Sequence, residues 1–176
     1  MVGKLIGVFR RRLRPDERES APDPGSVIKT DGSSAVGARA GTLVLPTTAL
    51  LEQILDEYGL THAIDDDGDL LVRWEKATMY FFHYGERREV LQARMYLNRR
   101  FAVELRSDIV LMLDDWNRTK LFPKAYTVLP DDGMVGVCAE QVYDFEVGAT
   151  RAQIKYSVGS WVDTLLRFVE WLDEQV

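Results

Sequence analysis

The segment from Glu104 to Tyr126 constrains this chain most. Leu105, Ile109, Met112, Leu113 and Trp116 recur at spacings of three and four, which predicts a helix over roughly Val103 to Thr119 with one face buried against a sheet. Pro123 lacks an amide hydrogen and fixes φ, so the helix cannot run through it. Phe122-Pro123-Lys124-Ala125-Tyr126 then opens a strand. A helix that hands the chain to a strand, between two blocks of strands, calls for an α+β domain.

The flanking segments agree. Leu45-Pro46-Thr47-Thr48 enters a helix, with proline tolerated in a first turn and threonine suited to the cap. Leu50, Leu51, Ile54, Leu55 and Tyr58 form its stripe, and Gly59 ends it. His62-Ala63-Ile64 and Leu70 to Trp74 read as short strands around an Asp-Gly turn. Thr78 to Tyr84 and Glu89 to Asn98 read as longer strands joined by Gly85-Glu86-Arg87-Arg88. After the central helix, Lys124–Leu129 and Met134–Val142 form a hairpin around Pro130-Asp131-Asp132-Gly133. The last helix starts near Thr150, a candidate cap. Its stripe is Ile154, Val158, Trp161, Leu165, Phe168 and Leu172, widened by Val162, Leu166 and Val169. The expected order is α-β-β-β-α-β-β-α, with three or four strands before the central helix, three helices in all and an antiparallel sheet of about five strands.

Charge divides the chain in two. Residues 1–41 hold eight basic and five acidic side chains, a balance of +3. Residues 42–176 hold fourteen and twenty-three, a balance of −9. An acidic body repels a phosphate backbone, so no nucleic-acid partner is expected for the domain. Residues 15–41 are rich in Pro, Gly, Ser, Asp and Ala and bring too little apolar area to offset ordering entropy. Residues 1–41 are therefore expected to be a disordered basic arm and 42–176 the folded domain. The first fourteen residues read either as a frayed tail or as a basic amphipathic helix for a membrane surface or partner. The single thiol, Cys138, cannot form an internal disulfide, and no apolar run reaches a membrane-spanning length of about 18 residues. The apolar start is followed, not preceded, by its arginines, unlike a signal peptide. A cytoplasmic location is the expectation.

Catalytic and metal readings fail on spacing. Asp65-Asp66-Asp67-Gly68-Asp69 invites a calcium loop, but the sixth position is Leu70 and the twelfth Lys76, where glycine and glutamate are needed. A solvated hairpin turn fits better. His62, His83 and Cys138 lack paired ligand spacing for zinc. Cys138 with His83 would serve as thiol and base only if the fold joined them, and Val135-Gly136-Val137-Cys138-Ala139 reads as sheet interior. Phosphate-binding loops, nucleophile elbows and kinase signatures are absent from the sequence. Asp114 and Asp115 are adjacent on a helix and point in different directions. No cofactor, metal or catalytic residue is expected.

Aromatic content carries the positive signal. Tyr80, Phe82 and Tyr84 share one face of their strand; Met79, Phe81 and His83 share the other. On the next strand, Arg94 and Tyr96 project opposite to Leu91, Ala93, Met95 and Leu97. If helices cover one side only, an aromatic face remains for a partner or second subunit; otherwise the arm, a helix or a loop covers it. Tyr80, Phe82, Arg94 and Tyr96 are the candidate partner-binding residues. Trp116 reads as an anchor of the central helix, Asn117 as a bond to the chain turning at Phe122-Pro123, and Tyr126 as structural.

Asp69-Leu70-Leu71-Val72-Arg73-Trp74-Glu75, Tyr84-Gly85-Glu86, Trp116-Asn117-Arg118, Pro123-Lys124-Ala125-Tyr126 and Phe168-Val169-Glu170-Trp171-Leu172 occur in an order and spacing that resembles the YbjN-domain family of actinobacterial type. The resemblance spans roughly Leu45 to Gln175. It implies a fold similar to type III secretion chaperones, which bind extended client segments and often dimerise, and a role in sensory transduction or stress regulation. It implies no catalytic residue. The expected function is a non-enzymatic protein-binding or regulatory module, engaging its partner by the sheet face or a free edge, with homodimerisation through the central helix or sheet face a further option. The alternative is a small-molecule sensor or enzyme with a pocket between sheet and helices.

Overall fold

In the computed structural model, residues 41–175 are described. The expected disordered arm, and a basic helix at its start, fall outside the described residues. The family of elements expected between 45 and 175 is present, with two additions. Strand β1 (Leu43–Val44) leads to α1 (Thr48–Glu57), then β2 (His62–Ile64), β3 (Leu70–Arg73), β4 (Ala77–Tyr84) and β5 (Val90–Leu97). A 3-10 turn over Val103–Leu105 opens α2 (Arg106–Thr119), followed by β6 (Lys124–Val128), β7 (Gly136–Asp144), β8 (Ala149–Thr150) and α3 (Arg151–Gln175).

Six strands, not five, form the main antiparallel sheet, in the order β2-β3-β4-β5-β7-β6. The hairpin after α2 thus returns its second strand, β7, to β5 and leaves β6 at the edge. Strands β1 and β8 make a separate two-residue ladder, Leu43 opposite Thr150 and Val44 opposite Ala149. Two residues carry no periodicity, so this ladder is invisible to pattern reading.

The core lies on one face of the sheet. Leu70, Val72, Met79, Phe81, Leu91, Ala93, Met95, Val137 and Ala139 join Leu51, Ile54 and Leu55 of α1, Ile109, Leu113 and Trp116 of α2, and Ile154 to Leu172 of α3 in one buried cluster. Register fixes which strand residues share that face: Phe81 sits opposite Leu70 and Ala93, and Met95 opposite Met79 and Ala139. All three helices therefore pack on the same side. The α3 stripe is buried as its spacing predicts, with Leu166 at its margin.

Local chemistry sets the element ends. The Thr47 hydroxyl accepts from the Leu50 amide and caps α1. Thr150 caps α3 reciprocally: its Oγ1 accepts from the Gln153 amide, and Gln153 Oε1 accepts from the Thr150 amide. The acidic β2–β3 turn is held by Asp65, whose carboxylate accepts from the amides of Asp67 and Asp69 at 3.1 and 2.9 Å, with Gly68 at φ 87°. At the end of α2, the Trp116 indole donates to the Pro123 carbonyl at 2.9 Å and its ring meets Phe168 and Trp171. Asn117 reaches two residues beyond the proline: it donates to the Ala125 carbonyl at 2.8 Å and accepts from the Ala125 amide at 2.9 Å. A side-chain amide thus stands in for a further strand on the free edge of β6.

One burial expectation fails. Leu105 is 46% exposed, because it lies in the 3-10 turn rather than on α2. Three residues per turn rotate it off the 3.6-residue stripe that continues at Ile109.

Candidate functional site: the aromatic face of the sheet

The opposite face of the sheet carries Leu71 from β3, Thr78, Tyr80, Phe82 and Tyr84 from β4, and Gln92, Arg94 and Tyr96 from β5. Cys138 and Glu140 from β7 and Lys124 and Tyr126 from β6 complete it. Leu71 and Cys138 are buried there yet stand outside the helix-covered cluster. All four candidate residues, Tyr80, Phe82, Arg94 and Tyr96, are brought together on this face and are half-buried by one another. Tyr80 and Phe82 stack with centroids 5.6 Å apart and planes 4° from parallel. Tyr96 meets Tyr80 edge-on at 6.0 Å. The Arg94 guanidinium lies 5.6 Å from the Phe82 ring centre.

Glu140 organises the polar half of the face. Its Oε2 accepts from Arg94 Nε at 2.9 Å, Gln92 Nε2 at 3.0 Å and the Tyr126 hydroxyl at 2.7 Å. Gln92 in turn accepts from the Tyr84 hydroxyl at 3.1 Å. Burial opposes the charge on Arg94, but its bonds to Tyr96 and Glu140 outweigh this and hold its pKa above the usual arginine value. Burial, followed by contacts to Cys138 and Glu140, keeps the Tyr126 phenol protonated well beyond its normal range. Burial likewise pushes the Cys138 thiol up to about 11. A protonated thiol beneath a protonated phenol is a packed wall and a poor nucleophile. Tyr126, Glu140 and Gln92 were not candidates from sequence. Tyr126 sits beside a proline turn, and only the β6–β7 pairing, with Tyr126 opposite Cys138, carries it onto this face.

The pairing of Cys138 with His83 as nucleophile and base is excluded by topology. His83 projects to the helix side, opposite Leu91, whereas Cys138 lies opposite Tyr96 and Tyr126 on the other. The His83 Nε2 bonds the Pro46 carbonyl, and its Nδ1 faces Arg88. Burial is the first cause that lowers its pKa below the ordinary histidine value.

A concavity of about 420 Å³ opens on this face. Tyr80, Phe82 and Tyr96 line it, with Asp67 and Asp69 of the β2–β3 turn and Arg100 also in its walls. Among the described residues, no group of three or more His, Cys, Asp or Glu is placed to hold a metal ion. No described helix is long and apolar enough to cross a membrane.

Residues 47–174 match the family model described as "Putative bacterial sensory transduction regulator", named YbjN. The chain belongs to the YbjN family. Its fold is that of the structure titled "Crystal structure of YbjN, a putative transcription regulator from E. coli". The TM-score is 0.65 at 15% identity, over 76% of this chain and 96% of the other. An uncharacterised protein from Methanothermobacter thermautotrophicus gives a TM-score of 0.42 at 10% identity, over 72% of this chain and 96% of that one, too weak to carry an argument. No curated protein matches the sequence. At such identity the solved structures speak to the fold of this YbjN-family domain and not to its residues.

Proposed function

We propose that this YbjN-family protein is a non-catalytic regulatory module that holds a segment of a protein partner across the aromatic face of its sheet. One observation carries the reading: a stacked pair of aromatic rings, a third ring set edge-on to it and Arg94 share a face on which none of the described helices packs. Aromatic and arginine side chains on a rigid surface are the usual anchors of protein recognition. Edge pairing is the weaker route, because Asn117 already occupies the β6 edge at Ala125 and the other edge strand, β2, has three residues. The family's regulatory description agrees with a binding role. The polar groups on the face are spent on one another at Glu140, which argues against an enzyme.

Selection of displayed random dodecapeptides against the full chain tests the proposal. Binders are expected that lose at least tenfold in affinity to the Tyr80→Ala/Tyr96→Ala variant, while that variant still unfolds cooperatively. Binders indifferent to both substitutions would show that the face is not the docking surface.

A further inference from the structure

The charge around the aromatic concavity is unbalanced, and that imbalance says what the face takes. Of the arginines on or beside it, Arg94 pairs with Glu140 at 2.9 Å, and Arg100 with Asp132 at 3.9 Å and with the Leu97 carbonyl at 2.7 Å, while Arg73 projects from β3 opposite Thr78, outside the lining. At the other end, Asp67 and Asp69 line the same concavity as Phe82 and Tyr80. Neither has an ion pair or hydrogen-bond donor among the described residues; the turn itself is held by Asp65 alone. The Asp69 carboxyl is shifted upward from the usual carboxylate value, first by burial and then by the charges of Asp65 and Asp67, against a smaller opposing pull from Arg88 and His83. A further cation at this end would offset the mutual repulsion of these carboxylates.

Building on the proposed partner-binding face, we infer that its occupant is an extended polypeptide segment bearing an arginine or lysine, with the cation against Asp67 and Asp69 and the stem or a neighbouring apolar residue over Tyr80, Phe82 and Tyr96. A guanidinium or ammonium is attracted both to the carboxylates and to the electron-rich faces of the rings. An acidic or phosphate-bearing partner is repelled by the same carboxylates. A second copy of the domain is disfavoured as occupant, since residues 42–176 carry fourteen basic against twenty-three acidic side chains and two such surfaces repel. A free small cation is disfavoured by shape, because the concavity is open and would not enclose a small molecule as ligand pockets do.

The peptide selection decides the point when its binders are sequenced and measured against Asp67→Asn/Asp69→Asn in the full chain. Those substitutions keep the turn, because the Asp65 carboxylate makes its bonds. Selected peptides are expected to carry Arg or Lys beside an apolar residue. Their affinity is expected to fall tenfold or more in Asp67→Asn/Asp69→Asn, to be retained in Asp67→Glu/Asp69→Glu, and to weaken from low to high salt. Peptides that need Tyr80 and Tyr96 but carry no cation, or that ignore the asparagine substitutions, would overturn this inference and leave the binding face standing. Peptides that ignore Tyr80 and Tyr96, or no binders at all, would overturn both. Dimerisation in sedimentation that is lost in Tyr80→Ala/Tyr96→Ala would assign the face to a second copy and overturn the inference.

Discussion

Single residues show how closely this fold is packed. Gly159 lies in the middle of α3, where glycine costs about 1 kcal/mol relative to alanine. It is retained in a place where a Cβ would fall 2.5 Å from the Tyr58 hydroxyl and 2.8 Å from the ring carbon bearing it. That hydroxyl donates to the Lys155 carbonyl at 2.9 Å, which holds the ring in place. Gly159→Ala should gain the helix propensity and lose more to overpacking, for a net loss of about 1–2 kcal/mol in chemical denaturation. Adding Tyr58→Phe should recover part of it, since the nearest atom is then gone. A Gly159→Ala protein more stable than the parent would show that Tyr58 moves freely. At the same scale, Tyr126 and Leu105 show the limit of sequence reading: one joined a surface its neighbours did not announce, and the other left a stripe by a change of helical pitch.

Elements are joined by contacts distant in sequence. Helices α1 and α3 are tied at Glu57, whose carboxylate meets Arg151 and, at 2.7 Å, Lys155. The hydrogen bond from Arg151, then that from Lys155, lowers the Glu57 pKa to about 2 from the ordinary 4.5. A depressed carboxylate pKa means that the unfolded chain takes up the proton first. The stabilisation is therefore complete above about 4.5 and is lost as pH falls toward 2. Glu57→Gln should flatten this part of the acid limb in a plot of thermal midpoint against pH. The difference from the parent should be small and shrink in salt, because the carboxylate is exposed to solvent. An unchanged acid limb would mean that the cluster contributes nothing to folding. The caps of α1 and α3 at Thr47 and Thr150 were legible because capping is written in neighbouring residues. The β1–β8 ladder was not, because its partners are separated by most of the domain.

For the whole molecule, strand β4 separates two environments. Phe81 is fully buried in the core under the helices, whereas Tyr80 and Phe82 lie half-buried on the opposite side. Phe81→Ala should cost about 3–5 kcal/mol, the range for truncating a buried aromatic. Tyr80→Ala should cost less than half as much in the same denaturant titration. Equal losses would mean that both faces are core and that no face is left for a partner. What the sequence by itself determined was local: the kinds of element, most of their ends, and which side chains share a face. Those follow from periods of 3.6 and 2 and from turn and cap chemistry within a few residues. Tertiary structure alone decided that β7 rather than β6 lies against β5, and that α1, α2 and α3 all choose the Met79–Phe81 side. It also gathered Arg94, Gln92 and Tyr126 at Glu140. These depend on which surfaces bury the most apolar area together, a property of the folded chain that no short window of residues contains.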